Sequence, residues 1–174
     1  MASRPLNNGY VLNTSLDFNG VLPNLNFPAD AQGIVRNEVD DDLGLREFIL
    51  VKNVGTGAFA NGDCLVFTNN SRTQVMNYAD AVAGGFSIGA ALNRVAGVAI
   101  GAISVGQWGW IQTRGYHAAV KVNGACANGQ MLTLDNTAST KCAPVALGTA
   151  PPYATLGVAV GAAAANLVPV QLFV

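Results

Sequence analysis

The stretch Gly57-Ala58-Phe59-Ala60-Asn61-Gly62-Asp63-Cys64-Leu65-Val66-Phe67-Thr68-Asn69 returns 67 residues later as Gly124-Ala125-Cys126-Ala127-Asn128-Gly129-Gln130-Met131-Leu132-Thr133-Leu134-Asp135-Asn136, with seven of thirteen positions identical. A second pair follows in the same order, Gly97-Val98-Ala99-Ile100-Gly101-Ala102 and Gly157-Val158-Ala159-Val160-Gly161-Ala162. Two blocks recurring in one order imply that residues 50–113 and 118–174 are two copies of one small β unit. In each copy Asn-Gly supplies a turn that needs positive φ. The short apolar run after it reads as a strand.

Outward from these blocks the pattern holds. Strands are expected at Glu47–Val54, Cys64–Thr68, Thr73–Tyr78 and Arg94–Ile100, then at Gln107–Arg114 and Tyr116–Val122. The second unit continues with Met131–Asp135, Ala143–Leu147, Thr155–Val160 and Leu167–Val174. Short strands at intervals of about 8–12 residues with Gly/Asn turns indicate an all-β barrel or sandwich. In Ala79–Asn93 the alanines allow a short helix and three glycines resist one. Residues 1–45 differ from the rest: Asn, Pro, Gly and Asp dominate, and no period of 2 or 3.6 holds for long. They read as an extended N-terminal arm carrying isolated anchors, among them Tyr10, Phe18 and Phe27, on a β core at 46–174.

Composition narrows the function. Charged residues make up 11 % of the 174-residue chain and apolar residues 51 %, against roughly 25 % charged in an average domain. So few charges cannot cover a monomer's surface, which favours a large self-associating or docking face. Net charge is −1 and the nine basic residues are scattered, so direct nucleic-acid binding is disfavoured. Ala79–Val105 and Thr155–Val174 are apolar enough to suggest membrane helices. Asn93-Arg94, Asn166 and Pro169 interrupt them, and no membrane span is expected. The first residues lack the apolar core of a signal peptide.

Little chemistry is written in the chain. His117 is the only histidine and no Gly-x-Ser-x-Gly occurs, so neither a hydrolase triad nor a zinc site is expected. Asp40-Asp41-Asp42 lacks the spacing of a calcium loop and reads as a solvated link. Gly55-Thr56-Gly57 lacks the spacing and lysine of a phosphate loop. Cys64, Cys126 and Cys142 read as small buried thiols. The expectation is a protein that is not an enzyme, with no cofactor or metal. Trp108 and Trp110 stand two apart, so on a strand they share a face. That face suits core packing, a subunit interface or stacking on a sugar. The second copy carries Val168-Pro169-Val170 there and has no aromatic.

The segment Gly97-Val98-Ala99-Ile100-Gly101-Ala102-Ile103-Ser104-Val105-Gly106-Gln107-Trp108-Gly109-Trp110-Ile111-Gln112-Thr113-Arg114-Gly115 resembles a pattern of tailed-bacteriophage capsid decoration, or cement, proteins. There a "G-v-A" with a small-residue turn precedes "G-x-x-G-w-v-q-x-x-G". Val122-Asn123-Gly124 through Gly129-Gln130-Met131-Leu132 is similar to the "v…G-d-x-L" that follows, and the likeness covers roughly residues 47–174. The resemblance implies a small β-barrel on the outer capsid surface of a virion, bound to the major capsid protein. It also implies a homo-oligomer, a trimer before a dimer, with a stabilising rather than an enzymatic role. The alternative expectation is a phage head-fibre or glycan-binding surface module using Trp108 and Trp110.

Overall fold

The computed structural model describes residues 35–40 and 44–174. Among the described residues ten strands form one continuous sheet: β1 (Val35–Asp40), β2 (Gly44–Asn53), β3 (Cys64–Phe67), β4 (Gln74–Met76), β5 (Val95–Ala99), β6 (Trp108–Lys121), β7 (Met131–Leu134), β8 (Cys142–Pro144), β9 (Thr155–Ala159) and β10 (Leu167–Phe173). Two short helices, α1 (Tyr78–Ala83) and α2 (Ile88–Leu92), connect β4 to β5.

The sheet closes on itself twice. In the first unit the pairings run β2-β4-β3-β5-β6 and return from β6 to β2, with β2 and β4 parallel. In the second they run β6-β10-β9-β7-β8, and a parallel bridge between Val122 and Cys142 completes the ring. The protein is therefore all-β, built from two similar small barrels. The 14-residue β6 belongs to both: its first half closes one barrel and its second half opens the next.

Register makes the repeat exact to the residue. Cys64 faces Val98, Leu65 faces Gly97, and the ladder slips before Val66 pairs with Val95. Met131 faces Val158, Leu132 faces Gly157, and the same slip precedes Thr133 and Thr155. The recurrent turn explains this conservation of form. Ala60 N–H donates to Asp63 Oδ2 at 2.7 Å, and Ala127 N–H donates to Gln130 Oε1 at 2.7 Å. Gly62 N–H donates to the Ala99 carbonyl and Gly129 N–H to that of Ala159, at 2.9 and 2.8 Å.

Each barrel is filled by the side chains that alternate inward. Ile49, Val51, Phe59, Leu65, Ile103 and Ile111 pack in the first. Val120, Cys126, Leu132, Leu134, Leu156 and Val170 belong to the second cluster. That cluster continues outside the first barrel, through Cys64, Val66, Val95 and Val98, so the barrels share one core. At the joint Cys64 N–H donates to the Thr140 carbonyl at 2.8 Å, Tyr78 N–H to Ser139 at 3.0 Å, and Lys121 Nζ to Asp63 Oδ1 at 2.6 Å.

The structure departs from the sequence reading in two places and decides a third stretch that the sequence left open. Gln107–Arg114 and Tyr116–Val122 are not two strands: β6 runs through Gly115 at a φ of +87°, and the one irregularity of its pairing with β2 is a bulge at Thr113. A Cβ at Gly115 would lie 2.4 Å from the Leu45 carbonyl oxygen, so the strand continues there only because the residue is glycine. The core boundary expected at residue 46 falls inside β2, because Val35–Asp40 pairs antiparallel with Gly44–Ile49 as a hairpin. Ala79–Asn93 holds part of α1 and all of α2, started by the side chains of Asn77 and Ser87 accepting from Asp80 N and Ala90 N.

Candidate interaction surface

The outward face of the first barrel is where β6 presents Trp108, Trp110 and Gln112 at alternate positions. Opposite them on β2 stand Lys52, Leu50 and Phe48. Phe48, Leu50 and Trp110 form a cluster of their own, against which Ile100 and Trp108 pack. The two tryptophans thus share a face, as their spacing requires. Their accessibility differs: Trp110 is only 9 % exposed, whereas Trp108 is half-buried. A sugar ring stacks on an open aromatic face, and Trp110 does not offer one. Among the described residues the buried Trp110 indole N–H has no hydrogen-bond partner.

Beside this cluster, where the barrels meet, lies a cleft of about 260 Å³ lined by Arg46, Phe48, Ile100, Gln112, Tyr116 and His117, among others. It falls below the roughly 300–1,000 Å³ of ordinary small-molecule sites. Gln112 Nε2 donates to the carbonyls of Arg114 and Tyr116, at 2.9 and 3.0 Å, and so braces the strand on both sides of Gly115. His117 Nδ1 accepts from Ala119 N–H at 3.2 Å. Burial, aided by the Arg46 charge, lowers the His117 pKa from 6.5 to about 4, against the opposing pull of a hydrogen bond to the Ala99 backbone. The imidazole is neutral at pH 7. Its polar partners are backbone groups, not a carboxylate and a hydroxyl arranged for proton transfer.

This burial has a pH consequence. Between pH 6.5 and 4 the unfolded chain takes up a proton at His117 that the folded chain refuses, so stability falls as pH falls through that window. The stabilisation is fully present above pH 6.5 and lost by about pH 4; at about 1.4 kcal/mol per unit it amounts to about 3 kcal/mol. Denaturant titrations at pH 7, 5.5 and 4.5 should show the slope, and His117→Gln should flatten it. Equal slopes for the two proteins would refute the assignment.

The remaining sequence candidates are distributed as follows. Tyr10, Phe18 and Phe27 lie outside the described residues, as do Asp41 and Asp42. Asp40 ends β1 opposite Gly44. Thr56 donates through N–H and Oγ1 to the two carboxylate oxygens of Asp80, both at 2.7 Å, so the Gly55-Thr56-Gly57 turn is held by the start of α1. All three cysteines are buried free thiols. Cys64 and Cys142 share the Lys121 carbonyl, and the contact with Cys142, followed by burial, drives the Cys64 pKa well up. Among the described residues no group of three or more His, Cys, Asp or Glu is placed to hold a metal ion, and no helix is long and apolar enough to cross a membrane.

What the sequence reading missed is on the second barrel. Met131, Val160, Leu167 and Phe173 are 42, 46, 39 and 47 % exposed. Pairing places them on one sheet face: Met131 and Gln171 both face Val158, while Val160 N–H bonds to the Pro169 carbonyl between Leu167 and Gln171. None of β7, β9 and β10 carries a charged residue. The alternation in Leu167–Phe173 was the available signal, since it marks a wall with apolar residues on both faces. No known family model and no curated protein matches the chain.

Proposed function

We propose that this chain is a virion structural protein, a capsid decoration (cement) protein that binds the major capsid protein on the outer surface of a mature phage head. The observation that carries the reading is the surface: large apolar side chains stand exposed on a chain with 11 % charged residues, and the two barrels beneath are tightly braced. Such a surface is suited to being covered by protein. The likeness of Gly97–Gly115 to the decoration-protein pattern adds the kind of partner. That segment holds the last three residues of β5, the turn after it and the first half of β6, the wall that closes the first barrel. A cement protein works by mass action, binding the assembled lattice and not its separated subunits. In this proposal the N-terminal arm reaches across to neighbouring subunits, with Tyr10, Phe18 and Phe27 as anchors. The head-fibre or glycan-binding alternative needs an open aromatic pair, and the burial of Trp110 weighs against it.

The test is co-sedimentation of the purified chain with phage heads stripped of their decoration. Saturable binding at a fixed ratio to the major capsid protein, with a rise in head melting temperature, is expected. Deleting residues 1–34 should weaken that binding at least tenfold. Heads that neither bind the intact chain nor gain stability from it would overturn the proposal.

A further inference from the structure

Two of the three buried thiols meet where the barrels join. Cys64 opens β3 in the first barrel and Cys142 opens β8 in the second. Between them runs the end of β6: Cys64 Sγ and Cys142 Sγ both donate to the Lys121 carbonyl oxygen, at 3.9 and 3.2 Å. The backbone fixes both sides of this contact. Lys121 N–H donates to the Gly62 carbonyl at 2.9 Å, and Cys64 N–H to that of Thr140 at 2.8 Å. Asn123 N–H donates to the Cys142 carbonyl at 2.8 Å, beside the Val122–Cys142 bridge. The duplication does not call for sulfur at either place. At the offset of 67 the counterpart of Cys64 is Met131 and that of Cys142 is Val75, so ordinary apolar side chains fill the equivalent positions. Cys126, in the same cluster, turns its Sγ to the carbonyl of its neighbour Ala127 at 3.6 Å.

We propose that Cys64 and Cys142 are a latent disulfide, closed by exchange with a small external disulfide, which bonds the two barrels to each other across their joint. One cysteine, as thiolate, attacks a sulfur of the small disulfide, forms a mixed disulfide and releases one small thiolate. The other cysteine then attacks the protein sulfur of that bond, closes the Cys64–Cys142 bond and releases the second small thiolate. The two protein sulfurs lose two electrons, the small disulfide gains them, and the two thiol protons end on the two released thiols. In the closed joint the thiols are 1 and 0 % exposed, and the contact with Cys142, followed by burial, holds the Cys64 thiol protonated. The thiolate is the nucleophile, so exchange runs while the joint is open, during folding or transient unfolding. The folded, reduced chain is slow to react. Once formed, the bond encloses residues 64–142, a long loop whose freedom in the unfolded chain it removes. A virion surface is an oxidising setting, in which such a bond tightens the scaffold. The inference stands on the joint alone and does not depend on the capsid partner.

Refolding the full chain from denaturant with oxidised glutathione, beside a sample refolded in excess reductant, tests it. The oxidised chain should lose two of its three free thiols. Its digest should show the Cys64 and Cys142 peptides joined and Cys126 free. Its melting temperature should rise by roughly 10 °C over the reduced sample, and added reductant should reverse the rise. Cys126→Ala should behave as the wild type. Cys142→Val, which places the repeat's own residue there, should show no rise on oxidation. Starting from the folded, reduced chain, denaturant just below the unfolding transition should speed closure by roughly tenfold or more. Three free thiols after oxidative refolding, or a bond that includes Cys126, overturns the inference. A Cys64–Cys142 bond that leaves the melting temperature unchanged or lowers it also overturns it, because the joint then does not accommodate the bond. Head co-sedimentation run in reductant decides the proposed function separately, since the reduced chain presents the same surface.

Discussion

Gly97→Val is expected to lower stability by more than about 3 kcal/mol, which for a chain of this size is a drop in melting temperature of roughly 10 °C. Two costs combine. Gly97 has a φ of +136°, a region that a β-branched residue avoids. A Cβ there would lie 2.4 Å from the Gln112 carbonyl oxygen on β6, and that oxygen is backbone that cannot swing aside. The glycine is where the small barrel turns its corner, with β5 pressed beneath β6. The second barrel repeats the device: a Cβ on Gly157 would meet the Gln171 carbonyl oxygen at 2.4 Å and Val170 Cγ1 at 2.6 Å. Gly157→Val should therefore be comparably damaging. The control is Gly57→Ala, where φ is not positive and nothing lies within 4 Å of the added carbon. It should be neutral or slightly stabilising. Gly97→Val unfolding within 1 kcal/mol of the wild type would show that the strand crossing relaxes, and the close-approach argument would fail.

The same two glycines show how far the sequence can be read. Each opens a Gly-Val-Ala-x-Gly-Ala block, and with the Ala-Asn-Gly turns they revealed the duplication, because backbone geometry that only glycine or asparagine tolerates leaves a mark in the chain. The shared strand left no such mark. The offset between matching strands is 67 at Val75 and Cys142 but 60 at Val95 and Thr155. The α1–α2 connection in the first unit has only a shorter loop as its counterpart in the second. That change of spacing hides the correspondence between β2 and the second half of β6. β1 was missed for another reason: VRNEVD has only two apolar residues, and its order comes from a hairpin ladder to β2, not from a buried face. The tryptophan pair was legible as a shared face, since period two needs only a strand. Its burial was not legible, because that depends on Phe48 and Leu50, brought across from a strand some sixty residues away. The open wall on the second barrel is least legible of all. It becomes visible only when the covered wall of the first barrel is known to be its counterpart.

The plugs of the two barrels lead to the second large expectation: Phe59→Ala should cost about 3–5 kcal/mol, and Cys126→Ala at the equivalent position about 1 kcal/mol or less. Phe59 and Ile103 bridge each other through paired backbone hydrogen bonds of 3.0 Å and are both fully buried in the first barrel. Their counterparts are Cys126 and Ala163, joined by one bond of 2.8 Å. The second barrel recovers volume elsewhere, with Leu156 where the first has Ala96. Truncating Phe59 therefore empties a site that nothing nearby can fill, since a close-packed interior relaxes only in part. Cys126 has little to lose. The converse change, Cys126→Phe, should overpack the second barrel against Leu156 and cost about 1–3 kcal/mol. The damage from Phe59→Ala should not stay in its own barrel. β6 supplies a wall to both, and the Cys64–Val98 face of one is core to the other, so neither ring persists once its neighbour opens. Calorimetry should show one transition in the wild type and one, at lower temperature, in Phe59→Ala. Two resolved transitions, with the upper one unmoved by Phe59→Ala, would mean that the barrels stand alone and that β6 is a tether instead of a common wall.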